Sequence, residues 1–373
     1  MAIDQDKVCL NIIAGCYERT VLGYEVTYNE KSEKYSIQAK FTDNSHIGYV
    51  KTIAASNNLL ASGSTDETIH LYNLQSNTEL GTLLQHDGTI TCLCFHADSH
   101  MISSSEDGTL CVWDTNSWDC MKTLKGHKGG VNSIAIHPSG KLALSVGVDK
   151  TLRTWNLLKG RAAYTTNIKQ AADHVLWSPD GELYVVIIGG VINVYNITTA
   201  SIACTTNCKK RINAVTFITD RVVAVGGEGN NISLYEITKS EVTCIHDFEA
   251  HDNRIKGLKC VPACTVSGKP SKSHRWLVSA SSDGYIKLWS LQINKLQEES
   301  PSLLAKISTT ARLTCVTVRP TVKAAEAEKE KTQTKVTMAL DERKASPKQP
   351  AVKRTKASSE HKGGKSKKKK MKP

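Results

Sequence analysis

The stretch SASSDGYIKLWS at residues 279–290 decides the fold. Three further segments align with it without gaps: SGSTDETIHLYN from residue 62, SSSEDGTLCVWD from residue 103 and SVGVDKTLRTWN from residue 145. In each segment a serine lies four residues before an aspartate, and an aromatic residue lies six residues after that aspartate. Self-similarity at a period of about 40 residues indicates a repeat architecture, in which each unit packs against its neighbours.

Two weaker copies lie between the third and fourth strong ones. Residues 189–195 and 229–235 keep the aromatic residue and the alternating pattern, but glycine replaces the aspartate, and Val185 and Val225 replace the serine. Alternating apolar and polar residues between Asp-Gly or Gly-Asn turns are typical of half-buried antiparallel strands. One such unit cannot bury both of its faces, so we expect the units to stack around an axis as the blades of a β-propeller.

The two ends of the chain complete the count of blades. One strand-like segment, residues 312–318, follows the sixth repeat, and three more, residues 10–14, 21–28 and 35–41, precede the first. Together they supply the four strands of a further blade, and closing the ring in this way removes unpaired sheet edges. The sequence therefore predicts an all-β fold, a seven-bladed β-propeller over residues 1–321.

Histidines precede the strong copies by 20 to 32 residues, counted to the aspartate. Gly126-His127 and Trp113-Asp114 supply the dipeptides that are typical of one family, and from about residue 10 to residue 320 the chain resembles the WD-repeat proteins. In that family the histidine, serine, aspartate and tryptophan of a repeat form a buried hydrogen-bonded chain. The resemblance implies three structural tetrads: His86, Ser103, Asp107 and Trp113; His127, Ser145, Asp149 and Trp155; His251, Ser279, Asp283 and Trp289.

Serine, histidine and aspartate could also form a catalytic triad. A catalytic site is normally built once, whereas this set recurs with a following tryptophan, and no Gly-x-Ser-x-Gly turn is present. We therefore expect no enzyme activity, no catalytic residue and no cofactor. We expect no metal site either, because the close cysteine pairs do not repeat the spacing of a zinc site. The two weaker repeats lack the tetrad, and we expect apolar packing alone to hold them as a looser sector.

Charge divides the chain into three blocks. Residues 1–119 carry a net charge of −10, residues 120–321 carry +11 and residues 322–373 carry +11. Six cations fall in or next to the loops before the inner strands, on the face of the repeat histidines: Lys128, Lys209, Lys210, Arg211, and Arg254 with Lys256. They predict a basic rim that attracts RNA or an acidic protein. Ordinary solvated charge is the alternative, since no aromatic residues for base stacking are interleaved with these cations.

From residue 322 the sequence has almost no large apolar residues and cannot bury enough surface to fold, so we expect a disordered lysine-rich tail over residues 322–373. Its basic clusters predict nuclear and nucleolar targeting, with a merely solubilising tail as the alternative. These clusters comprise Lys353, Arg354, Lys356, Lys365, Lys367, Lys368, Lys369, Lys370 and Lys372. No apolar run approaches the ~20 residues that span a bilayer, and no signal sequence is visible, so we expect a soluble intracellular monomer with reduced thiols and no membrane partner.

Several segments resemble one branch of the WD-repeat proteins, the p21-activated kinase-interacting family: AGCYE from residue 14, GSTDETIH from residue 63, residues 137–156 and ARLTC from residue 311. The resemblance implies a nucleolar scaffold for assembly of the large (60S) ribosomal subunit, with pre-60S particles, their proteins and rRNA as candidate partners. It also implies a negative regulator that binds the regulatory region of p21-activated kinase. A pure signalling inhibitor is one alternative. A ubiquitin-ligase substrate adaptor is a weaker one, because the Trp-Asp-x-Arg signature is absent.

Overall fold

The computed structural model describes residues 7–264 and 270–320. This part of the chain contains 28 β-strands and one 3₁₀ helix, Ile293–Lys295, and it contains no α-helix. Among these residues, no helix has the length and apolar character that crossing a membrane requires. The strands form seven antiparallel sheets of four strands each, so the predicted seven-bladed propeller is confirmed.

The strands follow one another along the chain with short turns between them. Three strands come first: β1 (Lys7–Cys16), β2 (Val21–Asn29) and β3 (Lys34–Asp43). Blade 1 consists of β4 (Val50–Ala55), β5 (Leu59–Ser64), β6 (Ile69–Asn73) and β7 (Thr78–Leu83). Blade 2 consists of β8 (Ile90–His96), β9 (His100–Ser105), β10 (Thr109–Asp114) and β11 (Cys120–Lys125). Blade 3 consists of β12 (Val131–Ile136), β13 (Leu142–Gly147), β14 (Thr151–Asn156) and β15 (Arg161–Asn167).

The second half of the chain repeats this arrangement. Blade 4 consists of β16 (His174–Trp177), β17 (Leu183–Ile188), β18 (Val191–Asn196) and β19 (Ile202–Asn207). Blade 5 consists of β20 (Ile212–Phe217), β21 (Val222–Gly227), β22 (Asn231–Ile237) and β23 (Val242–Glu249). Blade 6 consists of β24 (Ile255–Cys264), β25 (Pro270–Ser281), β26 (Tyr285–Gln292) and β27 (Ser302–Ser308), and the last strand is β28 (Leu313–Pro320).

Blade 7 is built from both ends of the described chain, in the order β28, β1, β2, β3. In its register Ile12 lies opposite Val318, and Ala14 lies opposite Val316. All four of these side chains are buried, apart from a residual exposure at Val318. The pairing joins the ends through a row of buried apolar side chains as well as through backbone hydrogen bonds, which completes the four strands of this blade.

The apolar core lies between the blades. Trp113 of blade 2 packs with Leu71 of blade 1, Trp155 of blade 3 packs in one cluster with Ile102 of blade 2, and Trp289 of blade 6 packs with Leu234 of blade 5. The innermost strands of most neighbouring blades contact one another around the axis, among them β4 with β8 and β24 with β28. The loops that precede these inner strands therefore share one face with the loops between the second and third strands. We call this the loop face.

Candidate functional site

The tetrad of blade 3 links two loops of the loop face to the blade interior. The Trp155 indole N–H donates to Ser145 Oγ at 2.8 Å, and Ser145 Oγ lies 2.7 Å from His127 Nε2. His127 Nδ1 lies 3.0 Å from Asp149 Oδ2. One assignment satisfies every atom: the serine hydroxyl donates to Nε2, and the protonated Nδ1 donates to the carboxylate. Asp149 also accepts the backbone N–H of Lys128 at 3.0 Å, so it joins the loop that follows β13 to the loop that precedes β12.

The other two predicted tetrads have the same geometry. In blade 2 the His86–Asp107 and His86–Ser103 distances are 3.0 and 2.7 Å, and Trp113 donates to the serine at 2.9 Å. In blade 6 the corresponding distances are 2.8, 2.7 and 2.9 Å, among His251, Asp283, Ser279 and Trp289. The structure thus brings together every member of the three sets that the sequence singled out.

In the tetrads of blades 3 and 6, electrostatics favour neutral histidines beside ionised aspartates. Burial lowers the pKa of His127 and of His251, and the neighbouring aspartate opposes this change without cancelling it. Burial raises the pKa of Asp149, but hydrogen bonds from the Lys128 amide, Thr151 and His127 outweigh it, and the pKa is lowered overall. With the histidine neutral and the aspartate ionised, every polar side-chain group of the tetrad has a hydrogen-bond partner, as polar groups in a core require.

A fourth tetrad, in blade 1, was missed because tyrosine replaces tryptophan. His46 lies 3.0 Å from Asp66 Oδ2 and 2.7 Å from Ser62 Oγ. The Tyr72 hydroxyl donates to Asp43 Oδ1 at 2.8 Å instead, and Asp43 belongs to β3 of blade 7. The spacing of serine, aspartate and aromatic residue already matched the strong repeats, so the sequence carried the signal.

Blade 4 departs from the expectation that apolar packing alone holds the weak repeats. Asp173, in the loop before β16, accepts the backbone N–H of Gly189 at 2.9 Å and a guanidinium N–H of Arg211 at 2.7 Å. A carboxylate therefore still joins two loops of this blade. Blade 5 fits the expectation better: Val225 and Tyr235 pack in one apolar cluster with Val185 of blade 4.

Of the predicted rim cations, Lys256 is half-buried at the start of β24. The other five are exposed and lie in the loops before β12, β20 and β24: Lys128, Lys209, Lys210, Arg211 and Arg254. The structure brings two of them, Arg211 and Arg254, close to Lys256 and Lys51. Burial lowers the pKa of the half-buried Lys256, and the charges of Arg254, Lys51 and Arg211 lower it further, while Glu228 opposes them. Lys128 stands apart in blade 3, with blade 4 between it and this group.

A second group on the loop face combines cations with aromatic residues, and its cations are not among those that the sequence singled out for the rim. Tyr17 and Tyr49 stack with ring centroids 5.1 Å apart and an interplanar angle of 15°. The Arg312 guanidinium lies 4.5 Å from the centre of the Tyr17 ring, and Lys51 Nζ lies 6.0 Å from that of Tyr49. The sequence could not show this group, because its members come from opposite ends of the chain and meet only where blades 7 and 1 adjoin.

Other predicted sites involve the thiols and the tail. The cysteines whose side chains the structure describes are all free, and within the same residues no group of three or more histidine, cysteine, aspartate or glutamate side chains could hold a metal ion. The targeting lysines and arginine of the tail, Lys353 to Lys372, lie outside the described residues.

Comparison with known proteins agrees with the repeat pattern. The family model "WD domain, G-beta repeat" matches residues 77–114, 118–156 and 242–290. The chain is similar to "p21-activated protein kinase-interacting protein 1-like" of Danio rerio, with 41% identity over 316 residues, which are 83% of this chain and 80% of that protein. It is 33% identical over 186 residues to "Protein MAK11" of Saccharomyces cerevisiae, covering 44% of this chain and 45% of the other.

Among solved structures, a chain of the "Crystal Structure of Mitotic Checkpoint Complex" superposes with a TM-score of 0.59 at 22% identity, covering 77% of this chain and 89% of that chain. At this identity the likeness shows the shared fold alone. The relationship to the kinase-interacting relatives is different in kind, because it extends over most of both sequences. The chain belongs to the p21-activated protein kinase-interacting protein 1 family of WD-repeat proteins.

Proposed function

We propose that this protein is a non-enzymatic nucleolar scaffold in assembly of the large ribosomal subunit, and that it also restrains p21-activated kinase by binding its regulatory region. The observation that carries the proposal is the loop face, where exposed cations from blades 5, 6 and 1 gather around Lys256. The tetrads beneath it satisfy one another with hydrogen bonds and so offer no free group for chemistry. A rigid ring with a cationic face is suited to holding anionic macromolecules.

A kinase inhibitor without an assembly role is the second candidate, and the name of the Danio rerio relative, a kinase-interacting protein, supports the kinase binding that it requires. Such an inhibitor needs the propeller and not the basic tail. Crosslinking with mass spectrometry on nuclear extract separates the two: the scaffold predicts crosslinks to ribosomal proteins of pre-60S particles, and the pure inhibitor predicts crosslinks to the kinase alone.

Truncation after Thr321 tests the role assigned to the tail. We expect the truncated protein to keep the melting temperature of the full chain, because the sheets close with β28, and to leave the nucleolus, because the lysine clusters are removed. Fluorescence microscopy and thermal unfolding measure the two results. Unchanged nucleolar staining would refute the targeting role, and a large fall in melting temperature would refute a disordered tail.

The rim is tested by exchanging Lys209, Lys210, Arg211 and Arg254 together for glutamine. Exposed substitutions usually change stability by less than ~0.5 kcal/mol. We therefore expect normal folding and reduced sedimentation with pre-60S particles in sucrose gradients. Exchange of four exposed lysines on other faces, Lys122, Lys141, Lys159 and Lys306, is the control matched for number of charges removed. Equal loss in both variants would show a general charge effect and not a rim.

A further inference from the structure

The stacked tyrosines at the junction of blades 7 and 1 belong to one continuous group of side chains. Arg312, in the loop before β28, contacts Tyr17, in the loop between β1 and β2, and Tyr17 stacks on Tyr49, directly before β4. All three loops are on the loop face. Tyr17 is 52% exposed, although a tyrosine normally buries most of its ring. An aromatic residue held by stacking in solvent at a basic surface is suited to binding another flat group.

Cations surround this pair and continue towards the axis. The Arg312 guanidinium also pairs with Glu18 at 3.4 Å, and its central carbon lies 4.5 Å from the centre of the Tyr17 ring. Next to Tyr49 stands Lys51, and the charge of Lys51 acts in turn on Lys256. The row of groups therefore runs from an aromatic stack at the junction of the two blades to a cluster of cations near the axis.

The positive charge extends below the loop face. Lys259 of the inner strand β24 acts electrostatically on Cys92 in β8, on Cys315 in β28 and on His174 in β16. Lys259 is exposed, so its side chain extends from this inner strand into solvent. An anion on the loop face near the axis would be attracted by Lys256, at the start of β24, and by Lys259, further along the same strand.

We propose that the group of Tyr17, Tyr49, Arg312, Lys51 and Lys256 is a binding site for single-stranded RNA, with an unpaired base against the tyrosine–arginine stack and phosphates on the lysines. The inference rests on the proposed assembly role, because it names the kind of RNA that the scaffold would hold. Bases stack on aromatic rings and guanidinium planes only where they are unpaired, which excludes a duplex from the stack. An acidic peptide would satisfy the lysines but has no use for the exposed ring.

The test uses the full chain and two 12-nucleotide probes of equal charge, an oligouridine and the same backbone without bases. Fluorescence anisotropy gives the affinity for each probe. The basic tail acts on both probes alike, so the ratio of the affinities isolates stacking. We expect the oligouridine to bind about 5- to 100-fold more tightly, which corresponds to one stacked base. Tyr17→Ala should remove this preference, and Tyr17→Phe should retain it because the ring remains.

Two controls separate the site from the fold. Tyr164 is 60% exposed on the outer strand β15, so Tyr164→Ala removes an exposed tyrosine elsewhere and should leave the preference intact. Exchange of Lys51 and Lys256 for glutamine should flatten the slope of log affinity against log salt by about 0.7 for each phosphate that the protein no longer neutralises.

No difference between the probes in the unmodified protein would overturn the inference, and so would a preference that survives Tyr17→Ala. The inference would also be overturned if an acidic peptide displaced the oligouridine and the protein bound both probes with equal affinity. That result would point to a protein as the occupant of the site. Sedimentation with pre-60S particles, measured on the same proteins, reports the proposed function separately. It can fail while the base preference stands, or hold while the preference is absent.

Discussion

Blades 3 and 4 are neighbours in the ring, and in each a carboxylate joins the loop before the first strand to the loop after the second strand. The two blades differ in which of these loops supplies the carboxylate. In blade 3 the carboxylate of Asp149 follows the second strand and accepts a backbone N–H from the loop before the first strand. In blade 4 the carboxylate of Asp173 precedes the first strand and accepts the N–H of Gly189, which follows the second strand. In both blades a hydrogen bond from a backbone N–H to a carboxylate therefore connects these loops, and either loop can supply the carboxylate.

The interior of the two blades differs more than the loops do. Ser145 and Trp155 of blade 3 are joined by a hydrogen bond. At the equivalent places blade 4 has Val185 and Tyr195, and Tyr195 stacks on Tyr184 with centroids 5.0 Å apart. A hydrogen-bonded chain in blade 3 and a stack of two aromatic rings in blade 4 thus support sheets of the same kind. The looser packing expected for blades 4 and 5 stays a prediction, which hydrogen exchange of their backbone amides would test.

Truncation of the central aromatic residue should show the largest difference between the two blades. Trp155 is 1% exposed, and Trp155→Ala should lower the free energy of unfolding by about 3–5 kcal/mol. Tyr195→Ala should lower it by less, because it removes a smaller side chain and leaves no buried serine without its donor. Chemical denaturation measures both, and an equal or greater loss at Tyr195 would contradict the comparison.

Removal of the loop carboxylate should give the next largest effect. Asp149→Ala leaves His127 and the Lys128 amide without their acceptor, and we expect a loss of about 1–3 kcal/mol. Asp173→Ala is the matched change in blade 4, and it should cost less because no buried histidine depends on that carboxylate for a hydrogen bond. A variant at Asp149 as stable as the unmodified protein would show that the tetrad is not structural.

Loss of a single hydroxyl provides a finer comparison, because tyrosine occupies the same repeat position in blades 1 and 4. The Tyr72 hydroxyl donates to Asp43, so Tyr72→Phe should cost about 1 kcal/mol. Tyr195→Phe should be close to neutral, since among the described residues its hydroxyl has no hydrogen-bond partner. Thermal unfolding of the two variants side by side would decide, and a reversed order would contradict the assignment of polar support to blade 1.

Acidification should weaken the tetrads of blades 1, 3 and 6. His46, His127 and His251 have a pKa below the usual 6.5 because burial disfavours the charged ring. The unfolded chain therefore takes up protons first, and this part of the stability, complete above pH 6.5, is lost as the pH falls towards the lowered folded values. The lowered pKa of Asp149 and Asp283 adds a loss only at more acid pH, as the pH falls from about 3.8 through the folded values.

The measurement is the melting temperature at pH 7.5 and pH 5.5. We expect a fall for the unmodified protein and a smaller fall for His251→Gln, which has one protonation site fewer. His274→Gln, at a partly buried histidine outside the tetrads, is the control and should keep the full pH dependence. Identical falls in all three proteins would show that the tetrad histidines do not set the acid sensitivity.

The fold could be predicted from the sequence because most blades repeat a similar strand pattern within about 40 residues, and the three sets of histidine, serine, aspartate and tryptophan fold in the same way. The hydrogen bond from Gly189 to Asp173 could not be predicted, because in blade 4 the carboxylate comes from the loop before the first strand and not from the loop after the second strand. The stack of Tyr17 and Tyr49 depends on how two blades meet, which no spacing within one repeat records. Surface residues were therefore predictable loop by loop, and their grouping was not.

The central claim is that the tetrads hold the propeller and the loops above them bind. It is tested most directly by measuring particle binding per folded molecule for two full-length variants, Asp149→Ala and the glutamine exchange of Lys209, Lys210, Arg211 and Arg254, below both melting temperatures. The account predicts that Asp149→Ala lowers stability and retains binding, and that the rim variant retains stability and loses binding. An Asp149→Ala protein that is fully stable and unable to bind would contradict it.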